Sequence, residues 1–397
     1  MKKWFVIIFL CVITVCCVSL TQQKASVLYP SWLQSYEDSL RFLYAGPKSQ
    51  WPAPVIDSGV VWTELDFLPD SPLQDQLDSL MDRIELGKAL FFDPRLSGSK
   101  QISCASCHSP ELSWTDGRAK SIGHDQQVNR RNSPTLLNVW FYKHLFWDGR
   151  SHSLEDQAFS PINSEIEMHS SMPDALRTLR RIEGYPGLFQ KAFGSPEISP
   201  ETLTEALAAF QRTLVSRKAD FDRFLEGDTA AMTAPALRGL HLFRTKARCM
   251  NCHHGALFTD NSFHNLGLSG FGSAQEDLGR YNVTHKEEDV GKFKTPSLRD
   301  VMRTRPWMHN GSFNDMEEII LLYNAGMPQS KTLPAQSKDS LLPQPDPLIK
   351  TLSRTKQEQA DVLAFLESIS APPLDIRLPV LPGRERSMGN KQRTMDK

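Results

Sequence analysis

Apolar residues recur along this chain mostly with the period of a helix. Leu203, Ala206, Leu207, Phe210 and Leu214 fall at i, i+3, i+4, i+7 and i+11, one stripe of a helix face. Ser199-Pro200, just ahead, supplies an N-cap and a first-turn proline. Val362, Phe365, Leu366 and Ile369 repeat the stripe near the end. Asn314 and Gly326 read as the two ends of another helix. Runs of strict alternation are scarce, so the pattern predicts a mostly α protein with few, short strands.

The helical pattern contains a weak internal repeat. Gly87-Lys-Ala-Leu90-Phe91 precedes the cysteine pair at Cys104, and Gly239-Leu-His-Leu242-Phe243 precedes the pair at Cys249. Each is expected to be an amphipathic helix leading into its cysteines. Two related helical lobes, 76–230 and 231–370, follow from this duplication. Residues 21–75 are rich in Pro, Ser, Asp and Trp without a clear period, which predicts an extended arm. Proline and basic residues dominate 371–397, which is expected to be a disordered tail. At the start, Lys2 and Lys3 precede an apolar run, Trp4 to Leu20. Residues 1–20 therefore read as a secretory signal peptide, with a retained membrane anchor through 4–20 as the alternative. Lipidation at Cys16 or Cys17 is disfavoured by the bulk of Val15.

Composition narrows the class. The formal net charge is −1 over 397 residues, so nothing points to nucleic acid. Of the seven cysteines, Cys11, Cys16 and Cys17 lie in the leader. The others form Cys104-Ala-Ser-Cys107-His108 and Cys249-Met-Asn-Cys252-His253. A CxxC pair followed by histidine is the attachment signature of c-type haem. Two thiols add across the haem vinyl groups, and the adjacent imidazole becomes the proximal ligand of the iron. A zinc ribbon would bring its pairs within about 15–20 residues of each other. A thioredoxin-like site would sit beside a βαβ pattern, which is missing here. The reading is an exported cytochrome of two cytochrome c-like lobes, each carrying one covalent haem. Among the remaining histidines, position alone selects no further ligand.

Between the motifs run SIGHDQQVNRRNSPTLLN and FWDGRSHSLEDQAFSPINSEIEM, and after the second motif comes TRPWMHNG. With both haem motifs, these segments resemble the bacterial di-haem cytochrome c peroxidase family, which includes MauG, over about residues 84–370. The resemblance implies a peroxidatic haem at His108 and an electron-transfer haem at His253. It matches Trp147 to a tryptophan between the haems, and Gln157 and Glu167 to a distal polar pair over the reactive iron. A carboxylate there can take the proton of HOOH and return it to the leaving oxygen. Without the resemblance Glu167 would read as a surface acid and Trp147 as a core aromatic. Asn132, Thr304 and Pro306 match a calcium site built from hard oxygen ligands, although Asn132 also suits a turn.

Two positions pull in different directions. Where many peroxidases of that family carry a methionine ligand to the second haem, this chain has Tyr323, as MauG-like members do; Met316 and Met327 are nearby rivals. A thioether favours ferrous iron, whereas a phenolic oxygen is a hard donor that favours higher oxidation states. His124 matches a loop histidine that caps the reactive haem in resting peroxidases, yet the family also has members active without such a cap. The resemblance thus implies reduction of hydrogen peroxide to water with electrons from a small periplasmic cytochrome or cupredoxin. The alternative is a MauG-like oxidase that modifies residues of a partner protein with oxidising power shared by both haems. A pure electron carrier would need neither Gln157 nor Glu167. Homodimerisation is a further implication of the resemblance.

Overall fold

The computed structural model describes residues 35–328 and 341–383. The leader, the start of the arm and the end of the tail lie outside the described residues. The helices are α1 (Tyr36–Ala45), α2 (Leu77–Phe92), α3 (Leu154–Asn163), α4 (Met172–Arg181), α5 (Tyr185–Phe193), α6 (Pro200–Arg212), α7 (Asp220–Leu225), α8 (Ala234–Arg244), α9 (Tyr281–Thr284), α10 (Met316–Ala325) and α11 (Lys356–Ser368). One antiparallel pair, β1 (Phe263–His264) with β2 (Phe293–Lys294), is the only sheet among the described residues. The mostly α fold read from periodicity is therefore what forms.

The predicted helix ends follow their caps. Ser199 accepts from Thr202 N and opens α6, whose Leu203, Ala206, Leu207 and Phe210 are buried. Thr355 and Glu358 make the same reciprocal box at α11. On α10 the side chain that caps is Asp315, one residue beyond the expected Asn314, and Gly326 closes the far end at φ 87°.

The repeat is a helix crossing used twice. In the first lobe α2 crosses α6, and a Cβ on Gly87 would lie 1.8 Å from Ala206 O. In the second α8 crosses α11, and a Cβ on Gly239 would lie 1.9 Å from Asp361 O. Only glycine lets backbones approach so closely. Around each crossing sits an aromatic trio. Phe91, Phe210 and Trp114 have ring centroids 5.4–5.9 Å apart. Phe243, Phe365 and Phe258 are 5.1–6.1 Å apart.

The ends of the chain depart from expectation. Within the arm, Leu40, Tyr44, Trp51 and Leu65 are buried in the core of the second lobe. Arg244 of α8, 1% exposed, holds this segment through Pro52 O at 2.6 Å, Tyr44 Oη at 3.2 Å and Glu64. The arm is thus part of a core, because a buried guanidinium needs several acceptors and the arm supplies them. Residues 371–383 are not a free tail either. Leu374 and Ile376 pack on the first lobe, and Arg95 Nη2 donates to Pro382 O at 2.9 Å. The lobes also part earlier than expected: Phe221 and Phe224 of α7 belong to the second core, so the division falls before residue 220 rather than at 230.

Gly239→Ala should destabilise the haem-loaded protein by about 2–3 kcal/mol, since the crossing must open to admit a methyl group. Gly187→Ala in α5, where a Cβ meets nothing within 4 Å, should be neutral or stabilise by up to about 1 kcal/mol. Thermal unfolding of the two variants beside the parent checks both.

Candidate haem centres

Each CxxCH segment folds as a single tight turn with matching bonds. His108 N donates to Cys104 O at 3.0 Å, and His253 N to Cys249 O at 2.8 Å. The imidazoles are then fixed from behind. His108 Nδ1 donates to Trp114 O at 3.1 Å and His253 Nδ1 to Phe258 O at 2.9 Å. Trp114 and Phe258 aim those carbonyls by adopting left-handed backbone, at φ 62° and 53°. A carbonyl acceptor on Nδ1 places the proton there and leaves the Nε2 lone pair free for a metal. Burial holds both imidazoles below their ordinary pKa against the weaker pull of these carbonyls, so both are neutral.

Both motifs open into one continuous cavity of about 1370 Å3. That exceeds the roughly 300–1,000 Å3 of an ordinary small-molecule site. The four thiols in its wall are unpaired. Burial pushes Cys104 up to about 12 and Cys107 and Cys249 to about 11, so they stand as neutral thiols. Reduced thiols, neutral imidazoles and a cavity of this size fit one covalent haem at each motif.

The remaining wall divides between the motifs. Gln157, from α3, and Glu167, from the loop after it, line the cavity. Glu167 is near enough to Cys104, Cys107 and His108 to bias all three electrostatically, which assigns it to the first motif. Its Oε1 accepts from Asn129 Nδ2 at 2.9 Å. Tyr323, on α10, lines the same cavity but senses Cys252 and Cys249, the second motif. Burial first, then those thiols, raises its phenol far above the ordinary value. Met316 also lines the cavity; Met327 is buried but outside the wall.

Trp147 lies in the shared wall, its Nε1 donating to Asn132 O at 2.9 Å and its ring 6.4 Å from that of His309. Asn132, Thr304 and Pro306 line the cavity together, and Asn132 spends its amide nitrogen on Arg118 O at 2.9 Å. His124 does not line it. The imidazole stacks on His169, centroids 4.1 Å apart.

A family model described as di-haem cytochrome c peroxidase matches residues 81–230. The methylamine utilization protein MauG of Methylophilus methylotrophus is 40% identical over 321 residues, 79% of this chain and 90% of that protein. The cytochrome c551 peroxidase of Nitrosomonas europaea is 34% identical over 322 residues, 79% and 87%. This chain belongs to the di-haem cytochrome c peroxidase family. A crystal structure of a MauG-like protein associated with microbial copper homeostasis matches at a TM-score of 0.65 and 30% identity, over 82% of this chain and 94% of that one. The diheme peroxidase BthA from Burkholderia thailandensis shares the fold at 0.61 and 23%, over 80% and 92%. As a family member the chain is a di-haem oxidoreductase, so peroxide and a redox partner or protein substrate are its class of reactants.

Several residues of this di-haem site were not visible in the sequence. Arg131 bridges the lobes, giving Nη1 to Asp148 Oδ2 at 2.6 Å and Nε to Asp277 Oδ2 at 2.7 Å. His309, which the sequence offered only as part of the TRPWMHNG block, is stacked on Phe293 at 3.5 Å and kept neutral because burial lowers it to about 4. Lys294 is a buried cavity-wall cation that burial brings down to about 7. Beside Cys252, His264 sits between Asp260 Oδ2 at 2.7 Å and Asp346 Oδ2 at 2.6 Å. Cys252, Asp260 and His264 offer donors within 4.8 Å of one another. Haem attachment at Cys252 would consume the sulfur and leave a carboxylate–imidazolium–carboxylate clamp. Asp260 lies four positions before His264, and Asp346 completes the clamp from 82 positions beyond it.

That clamp has a pH signature. Burial alone would lower His264, but its bonds to Asp260 and Asp346, with a smaller contribution from Cys252, outweigh that and raise it well above the ordinary imidazole value. Its contribution is then complete below the unfolded value of roughly 6.5 and is lost as pH rises toward the folded one. Urea unfolding at pH 7, 8.5 and 10 should show the parent losing stability with pH more steeply than His264→Asn.

Proposed function

We propose that this chain is a periplasmic enzyme that reduces hydrogen peroxide to water, using electrons from a small cytochrome or cupredoxin. The balance is H2O2 + 2 e− + 2 H+ giving 2 H2O, with two one-electron deliveries per turnover. Haem iron, when bound at His108, supplies the O–O cleavage and accepts the electrons. The observation that carries the reading is Glu167, held by Asn129 in the wall facing the first motif.

Glu167 has Oε1 engaged by Asn129, so Oε2 is the atom that takes the proton of HOOH and hands it to the leaving oxygen. Gln157 orients the peroxide without titrating. Trp147, clamped through its indole N–H, provides an oxidisable ring between the two motifs. Tyr323 would join His253 in holding the second haem, supplying a hard oxygen donor; its place in the wall by Cys249 and Cys252 supports this. Asn132 Oδ1 with the carbonyls of Thr304 and Pro306 is proposed to hold one Ca2+, which suits a set of hard oxygens. Export through residues 1–20, with or without a retained anchor, and homodimer formation complete the proposal. No helix among the described residues is long and apolar enough to cross a membrane.

Glu167→Gln should lower kcat for peroxide by about 10²–10⁴-fold while both haems remain attached. Steady-state oxidation of reduced cytochrome c, with haem stoichiometry from the pyridine adduct, reads both. Loss of less than tenfold removes Glu167 as the proton carrier. Wild-type protein that ignores reduced donors, yet uses peroxide to oxidise a partner polypeptide, would transfer the assignment to MauG-like chemistry.

Tyr323→Phe should change the visible spectrum and raise or abolish the redox couple of the haem at His253, leaving that at His108 unaltered. An unchanged second haem in spectroelectrochemistry rules the tyrosine out as a ligand.

A further inference from the structure

The loop that carries His124 is fastened to the segment that carries Glu167 at four points. His124 N donates to Ile166 O at 3.1 Å and to Glu167 O at 3.0 Å. Gly123 packs so closely that a Cβ would lie 2.0 Å from Ile166 O. Asn129 Nδ2 holds Glu167 Oε1. At the outer edge the His124 and His169 rings stack with 4° between their planes. Gly123 and Asn129 belong to the cavity wall, whereas His124, between them, turns its ring out of it.

This arrangement is held under strain. Asp125 and Gln126 in the loop, and His169 opposite, all have left-handed backbone, at φ 49°, 60° and 45°. Strain in non-glycine residues persists where the surroundings impose it, and it gathers at switches. His124 Nδ1 is buried without a hydrogen-bond partner, and Nε2 has only Asp125 Oδ2, at 3.3 Å. Beyond that Asp125 contact, the stack on His169 is the ring's interaction with the segment that carries Glu167.

We propose that His169 is a dock for the His124 imidazole, which keeps the sixth position at the His108 haem open. This rests on the reading of that haem as the reactive one. His169 acts as a positioning residue and touches no substrate. The docked loop has a second effect, because the same position brings Asn129 to Glu167. Undocking would carry His124 toward the iron and Asn129 away from the carboxylate together. Access to iron and placement of the proton carrier are then two consequences of one loop position.

The test is the spin state of the diferric, full-length holoprotein, read by low-temperature EPR and visible absorption. Wild type is expected to be high-spin at the His108 haem. His169→Ala should raise the low-spin to high-spin ratio there about five-fold, the effect of losing one ring–ring contact. His169→Phe, which keeps a flat ring in place, should retain the wild-type ratio. The double variant H124A/H169A should return to high-spin, since the incoming ligand is gone. A low-spin wild type, an unchanged H169A, an equal gain in H169F, or a double variant that stays low-spin each overturns the proposal. Peroxide consumption by wild type is measured separately. A protein that turns over peroxide with H169A unchanged loses the dock and keeps the function, and one with the expected spin states but no turnover does the reverse.

Discussion

The bond from the imidazole of each CxxCH motif to a main-chain carbonyl is the constraint around which both lobes are arranged. An imidazole can serve iron from Nε2 only if Nδ1 has an acceptor, and the acceptor must not move. Trp114 and Phe258 provide it from strained left-handed backbone, which neither would keep unaided. Each is held by its own ring, locked into an aromatic trio with one residue from each of two crossing helices. The helices cross closely enough only because Gly87 and Gly239 present no side chain. Glycine, trio, carbonyl and imidazole thus form one mechanical chain, built twice.

Duplication explains why there are two haem sites but not why they differ. The difference enters through segments outside the repeated core. In the first lobe the loop after α3 brings Glu167 into the cavity, and Asn129 takes one of its oxygens. In the second lobe α10 brings Tyr323 to a comparable wall, and a buried phenol stands where the first has a carboxylate. Trp147 and Arg131 line the one cavity that both motifs share. Arg131 holds a carboxylate of each lobe; Asp148 is also held by Arg150, whereas Asp277 otherwise has the main-chain N–H of Gly279, so removing Arg131 would cost most at Asp277.

Much of this was legible. The α6 stripe, its cap and both CxxCH motifs depend on local periodicity and spacing, and these survive folding unchanged. The resemblance brought Gln157, Glu167, Trp147 and Tyr323 to attention, and all of them line the cavity. Features depending on distant partners were not legible. Asp346 completes the His264 clamp from 82 residues away. The arm looked aperiodic because its buried residues answer to Arg244 and the second core rather than to a helix face. Residues 371–383 looked free because Leu374 and Ile376 are too few to declare a partner surface. His124 was legible as a candidate and still lies outside the cavity, its ring stacked on that of His169, forty-five positions on.

The two ends of the chain show how the lobes are kept in register. The arm, which leads into the first lobe, is buried in the second, and the segment leaving the second is laid over the first. Each lobe therefore depends on chain from outside its own repeat. Separate lobes would expose Leu65 and Trp51 on one and leave the groove for Leu374 and Ile376 empty on the other. Two independently stable cytochromes joined by a linker would drift relative to each other, because an ordinary domain interface permits motion. Crossed straps remove that freedom. A cavity shared by two cofactors, with one tryptophan in its wall, needs a fixed separation more than it needs a strong interface. The straps supply that fixity without adding a group to the cavity.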